Sequence, residues 1–207
     1  MALDDCVRLD TRLAGQVRRY HTWPTIKNQS IAEHTWQMIR IYLCVCKKPD
    51  PNIMYHIMFH DIGEHYTGDI PYPVKSENKE LKERMDMLET RSMLIQLDYW
   101  GCFHQGYISD EDKALCKMIE LVEMAEFGLD EMVLGNSHGF VIANRCLYAV
   151  FNMRPPDKLV LYICTRLNVF GAQYPMHMEG DWWDPIKWEH AHATEHGTHE
   201  VSGVDSK

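Results

Sequence analysis

No run in this 207-residue chain approaches the roughly 20 consecutive apolar residues that cross a bilayer, so no membrane span is expected. Positive charge is scarce. Lys and Arg number 21 against 30 Asp and Glu, a net charge of −9. That excludes the basic face a duplex-binding protein needs, though not a single phosphate pocket built from a few local cations. The seven cysteines, Cys6, Cys44, Cys46, Cys102, Cys116, Cys146 and Cys164, contain no C-x-x-C and follow no regular spacing. They read as reduced thiols of a cytoplasmic protein, not as a Cys-type zinc site or a nucleophile. No segment alternates apolar and polar residues with period two, so strands are not expected. Nothing repeats internally. Met1-Ala2-Leu3-Asp4-Asp5 brings acids early and no apolar core, which argues against a signal peptide.

Helical patterns fill most of the rest. One domain over 1–173 is expected, an all-α irregular bundle, followed by a Trp- and His-rich tail over 174–207, partly docked and partly flexible. Leu3 to Tyr20 reads as a helix and His21 to Gln29 as a loop around Pro24. Ser30-Ile31-Ala32-Glu33 has the form of a capping box, and its helix stops before Pro49-Asp50-Pro51. Pro51 suits the first turn of the next helix, which delivers His60-Asp61. Gly68-Asp69-Ile70-Pro71-Tyr72-Pro73 is a stiff loop. Ser76 opens a polar helix to about Trp100. Ser109-Asp110-Glu111-Asp112 opens another, to about Phe127-Gly128. Two more are expected over 139–152 and 157–170. In the tail, Trp182, Trp183 and Trp188 suit docking on the body or on another subunit. His192 and His196, one helical turn apart, are weaker metal candidates than the surrounding polarity makes them solvated.

The chemistry gathers around His60-Asp61. Adjacent residues cannot share a helical face. They converge on one ion only where the helix ends or distorts, and Gly63 is placed to allow that. His34 lies at the start of one helical run, and Glu120 on another. Two histidines and two carboxylates on three helices can hold one divalent cation of hard-to-borderline character. Either histidine alone would read as a core residue; the joint pattern H…HD…E favours a metal site. Glu123, one turn after Glu120, is the rival fourth ligand. Glu64 lies a turn beyond Asp61, where it can orient or deprotonate a water, or else serve as an ordinary acid. Arg19 has the planar fork that suits phosphate oxygens, with Arg18 beside it as a second cation or an ordinary solvated charge. Lys75 is a second phosphate candidate, Trp23 a stacking candidate.

These residues resemble a known family. Arg19-Tyr20, Ile31-Ala32-Glu33-His34, His60-Asp61-Ile62-Gly63-Glu64 and Gly68-Asp69-Ile70-Pro71-Tyr72-Pro73-Val74-Lys75 are together similar to the HD-domain metal-dependent phosphohydrolases. They look nearest to the branch of bacterial 5′-deoxynucleotidases and viral dATP triphosphohydrolases. The resemblance runs from Arg19 to about Glu126. It implies His34, His60 and Asp61 as ligands of one divalent ion (Co, Mn, Zn or Mg), and Glu120 where the family carries an aspartate. It also implies Asp69 as an acid near the sugar and the reacting group, with Tyr20 and Pro73 enclosing the base. A deoxynucleotide substrate, a homo-oligomer and a cytoplasmic location (host cytoplasm for a viral protein) follow from the same resemblance.

Two substrates compete, because the bond to the 5′ oxygen is the same in both. The Arg19-Tyr20-His21-Thr22 run resembles the viral branch and favours dATP, cleaved to deoxyadenosine and triphosphate, with Arg18, Arg19, Lys75 and Lys79 as cations. In that branch the role is to deplete dATP in favour of a modified purine. The alternative is a 5′-deoxynucleotidase acting on monophosphates. A non-catalytic nucleotide sensor is the reading from another class, and intact Glu64 and Asp69 speak against it.

Overall fold

The computed structural model describes residues 11–70, 78–99 and 108–174. Among these residues there are eight helical segments and no strand; one isolated bridge pairs Arg18 with Ser30. In chain order they are α1 (Thr11–Ala14), α2 (Ile31–Val45), α3 (Pro51–Phe59), α4 (Glu64–Thr67), α5 (Lys79–Tyr99), α6 (Asp110–Val133), α7 (His138–Asn152) and α8 (Asp157–Gln173). The all-α architecture expected from the sequence is what forms.

Local signals set most boundaries. Ser30 Oγ accepts from the Glu33 amide and starts α2. Asp50 caps α3, with Pro51 in its first turn. Ser109 and Asp112 form a complete, reciprocal capping box on α6. That helix ends at a Schellman turn: Gly135 takes φ +90°, its amide reaches Met132 O, and the Asn136 amide reaches Glu131 O.

Two expectations fail for identifiable reasons. The first helix stops at Ala14 and does not reach Tyr20. From Gly15 the backbone bonds instead to the start of α2: Ile31 donates to Val17 O, Ala32 to Gly15 O, and Arg19 to Gln29 O. Residues 1–10 lie outside the described residues. Helix α6 runs to Val133, past Gly128. Gly128 is a packing site, not a stop. A Cβ there would lie 2.6 Å from Gly139 O on α7, and one at Gly139 would lie 2.3 Å from Gly128 O. The two backbones touch, and only glycine permits it.

The core lies between α2, α6, α7 and α8. Met38, Ile41 and Tyr42 face Ile119 and Val122, with Ala143, Val150, Leu159 and Ile163 behind them, all close to fully buried. Burial pushes the thiols of Cys116 and Cys146 up to about 12, as suits unreactive core cysteines. No described helix is long and apolar enough to cross a membrane. The tail with Trp182, Trp183, Trp188, His192 and His196 lies outside the described residues, as do Cys6 and Cys102.

Candidate metal centre

Helix α3 ends at Phe59, and residues 60–63 form a turn before α4. The helix therefore breaks at His60-Asp61, as a shared site requires. His34 comes from the first turn of α2 and is fully buried. His34, His60 and Asp61 each offer a ligand atom within 4.8 Å of the others. His60 Nε2 lies 3.1 Å from Asp61 Oδ1, and His34 Nε2 lies 3.8 Å from Asp61 Oδ2.

Each imidazole is held by its other nitrogen. His60 Nδ1 donates to the Ile57 carbonyl at 2.7 Å. His34 Nδ1 donates to Glu123 Oε2 at 2.5 Å. Both Nε2 atoms thereby point toward the Asp61 carboxylate. Metal-binding histidines are commonly held this way, the far N–H on a carbonyl or carboxylate fixing tautomer and ring orientation. Burial, with Arg19 adding to it, keeps His34 well below its ordinary range, so the ring is neutral and can ligate. Burial also opposes a charge on His60, but the adjacent Asp61 carboxylate outweighs it and pushes that histidine up to about 9.

The two rival glutamates separate here. Glu123 is buried behind His34, where it also accepts from Gln29 Nε2 at 2.6 Å and lies 3.7 Å from Arg19 Nη1. Its carboxylate is occupied in orienting the ligand. Glu120 lies next to the His–His–Asp cluster and not within it. Lys117, one turn earlier on α6, binds it at 2.8 Å. Glu120 and Lys117 line a cavity of about 130 Å³ with His56, His60 and Lys113. A larger cleft of about 330 Å³ opens between α6 and α8, away from this cluster. Its cations Lys27 and Arg166 are already paired with Asp130 and Glu126.

Arg19 faces the cluster from the bridge beside α2. Its side chain is nearly buried, and Nη1 has no hydrogen-bond partner. Tyr20 sits at φ +57°, a left-handed conformation that costs energy for a residue with a Cβ. Asp69 holds it there, Oδ2 accepting from the Tyr20 amide at 3.1 Å, with His21 Nδ1 3.9 Å from the same oxygen. The Tyr20 ring stacks on Phe127 with centroids 4.5 Å apart, so one face is committed to the core. Trp23 is half-buried against the same core. Glu64 opens α4 and is buried beside the turn. Arg18 is exposed. Pro73 and Lys75 lie outside the described residues.

Buried polar atoms without a partner are rare in folded proteins and call for an explanation. Among the described residues the buried atoms with no hydrogen bond include Arg19 Nη1, Tyr20 OH, Gln29 Oε1, His34 Nε2 and His60 Nε2, three of which have only a carboxylate oxygen within 4 Å. All five belong to this one region. Two imidazole nitrogens and a carboxylate fit a divalent cation, whose binding would displace the His60 proton, and the guanidinium beside them fits an anion carried on it. Gln29 is the residue the sequence reading missed. It sits in a loop with no pattern around it, and only its contact with Glu123 marks it.

Comparison with known proteins finds similar chains. Residues 11–100 match the family model described as HD domain. A 5′-deoxynucleotidase of Yersinia pestis is 25% identical, the alignment covering 75% of this chain and 89% of that one. A 5′-deoxynucleotidase of Yersinia pseudotuberculosis matches to the same extent. An HD-domain phosphohydrolase from Listeria innocua, known from its crystal structure, superposes with a TM-score of 0.64 at 17% identity, covering 94% of this chain and all of the other. Residues 11–100 thus match an HD domain, and the chain shares the helical fold of that solved structure.

Proposed function

We propose that this metal-dependent phosphohydrolase removes the 5′ phosphate from deoxynucleoside monophosphates, giving a deoxynucleoside and inorganic phosphate. The observation that carries the reading is the set of unpartnered buried atoms around His34, His60 and Arg19. It is a built site for a cation with a phosphate on it. The relatives in Yersinia are 5′-deoxynucleotidases, which supports the monophosphate over the dATP that the sequence favoured.

In this reading His34, His60 and Asp61 hold the ion, with Glu120 moving off Lys117 to complete the set. A divalent ion so held supplies Lewis acidity toward a phosphoryl oxygen and makes a water nucleophilic near neutral pH. Arg19 takes the remaining phosphate oxygens, and its charge counts most as negative charge shifts during bond cleavage. Glu64, beside the same turn, accepts the proton of the attacking water. Asp69 fixes the Arg19-Tyr20 segment through the Tyr20 amide and stands near the sugar. Trp23 borders the nucleoside.

The test is chromatography of products from dAMP and dATP run in parallel with Co²⁺ or Mn²⁺. Nucleoside and phosphate from dAMP are expected. Release of triphosphate from dATP, with monophosphates untouched, would restore the triphosphohydrolase reading. Tight nucleotide binding without turnover of either would favour the sensor.

A further inference from the structure

The hydrolysis proposed above has a base, Glu64, and no acid. Breaking the bond to the 5′ oxygen leaves an alkoxide, which needs a proton as it departs. Around Asp69, Arg19 holds its protons too tightly to give one up. The Tyr20 hydroxyl is buried with its ring on Phe127, and burial pushes its ionisation higher still. Asp69 itself acts as an acceptor, its Oδ2 taking the Tyr20 amide at 3.1 Å. Histidine is the side chain that both carries and yields a proton near neutral pH. One stands at this carboxylate: His21 Nδ1 lies 3.9 Å from Asp69 Oδ2.

The backbone holds His21 in place on both sides. Tyr20 at φ +57° turns the chain between Arg19 and His21, and the Trp23 amide closes the turn on Tyr20 O at 2.9 Å. Opposite, Gly68 at φ +68° leads the chain out of α4 into Asp69. One carboxylate thus serves both the strained Tyr20 amide and the next side chain, two residues from the proposed phosphate clamp Arg19.

We propose, on the reading that puts Asp69 near the sugar, that His21 is the general acid of this reaction and that Asp69 positions it. The carboxylate faces Nδ1, orients the ring and stabilises the imidazolium, which leaves the Nε2 proton for the substrate. The 3.9 Å separation is longer than a hydrogen bond, and such catalytic contacts often tighten only when substrate binds. As the water oxygen bonds to phosphorus, the bond from phosphorus to the 5′ oxygen breaks. Its electron pair goes to that oxygen, the Nε2 proton follows, and the nucleoside leaves as an alcohol. Glu64 holds the proton lost by the water. The His21 side chain is 46% exposed, so solvent restores its proton after each cycle.

The test compares two substrates, with Mn²⁺ present: dAMP and its analogue with sulfur in place of the bridging 5′ oxygen. A thiol ionises at roughly 8.5, whereas water, and an alcohol like it, does so only near roughly 16, so the sulfur leaves without an acid. In His21→Asn, kcat for dAMP is expected to fall by roughly 10²–10⁴-fold, and kcat for the sulfur analogue by far less. The ratio of the two rates is read within one preparation, so misfolding, which lowers both alike, cannot imitate the result. His21→Gln serves as a second variant. Equal losses on both substrates, or no loss on dAMP, overturn the role of His21. Should the wild type leave dAMP untouched and cleave dATP, the monophosphate reading fails alone, because the same 5′ oxygen leaves and the same ratio is read on the triphosphate pair. Turnover of neither nucleotide overturns both.

Discussion

At the scale of single residues, the metal centre turns on which glutamate does which job. Glu120 and Glu123 share one face of α6, three residues apart, and spacing alone cannot choose between them. The contact at His34 Nδ1 separates them: Glu123 holds the His34 ring, and Glu120 does not. Glu123→Ala should therefore lower metal affinity by roughly 10–100-fold while the coordination spectrum of bound Co²⁺ keeps its form. Isothermal titration and visible absorption check this together; loss of a ligand band would make Glu123 a ligand after all. Glu64→Ala should do the reverse. The ion stays bound with near-normal affinity and turnover falls by roughly 10²–10⁴-fold, the usual contribution of a general base. An unchanged rate would leave Glu64 an ordinary buried acid. His60 and Asp61 were legible in the sequence as a pair because the HD dipeptide precedes Gly63 and Glu64. That Gln29 steadies the carboxylate behind His34 was not, since the two are 94 residues from Glu123 to Gln29 in sequence and meet only by packing.

At the scale of elements, caps written in the sequence fix where α2, α3 and α6 begin, because each cap is a local hydrogen bond. Helix ends depend more on neighbours. Gly128 looked like the end of α6 and is instead the point where α7 crosses it. Gly128→Ala should destabilise the protein by about 1–3 kcal/mol, since the new methyl meets backbone atoms that cannot swing aside. Thermal unfolding measures it, and a melting temperature within a degree of wild type would show that the crossing yields easily. The short α1 teaches the same lesson. Its sequence could continue as a helix, but residues 17–19 find backbone partners at residues 29–31, and that pairing brings Arg19 to the metal centre.

At the scale of the whole molecule, a second buried glutamate ties distant segments. Glu131 on α6 is fully buried and accepts from the amides of Ile26 and Lys27, each at 2.7 Å, and from Asn136 Nδ2 at 2.6 Å. It thus anchors the loop that follows Tyr20 and Trp23. Burial favours its protonation, but the hydrogen bond from Asn136 and those from Ile26 and Lys27 outweigh burial and hold it below the ordinary carboxylate range. A depressed folded value contributes stability that is present above the unfolded pKa, about 4.3, and is lost as pH falls through the folded one. Glu131→Gln should lower stability at neutral pH by about 1.5–3 kcal/mol and flatten the acid limb of the stability curve. Denaturant melts at pH 7 and pH 4 measure both, and an unchanged difference between the two pH values would assign the acid sensitivity to other groups.

The sequence by itself determined the helical class and the starts of the main helices, and it pointed to His34, His60 and Asp61, which the fold brings together. Those features rest on local hydrogen bonding, on hydrophobic spacing and on a compact motif, all carried by neighbouring residues. The tertiary structure decided the rest: that Glu123 holds His34 while Glu120 waits on Lys117, that Tyr20 commits one face to Phe127, and that Arg19 keeps a buried donor unpartnered. Apart from the Lys117–Glu120 pair, which are neighbours on α6, each of these is a choice among partners far apart in the chain. It is made by which side chains the packing of α2, α3 and α6 brings within hydrogen-bond reach, and no local pattern records it.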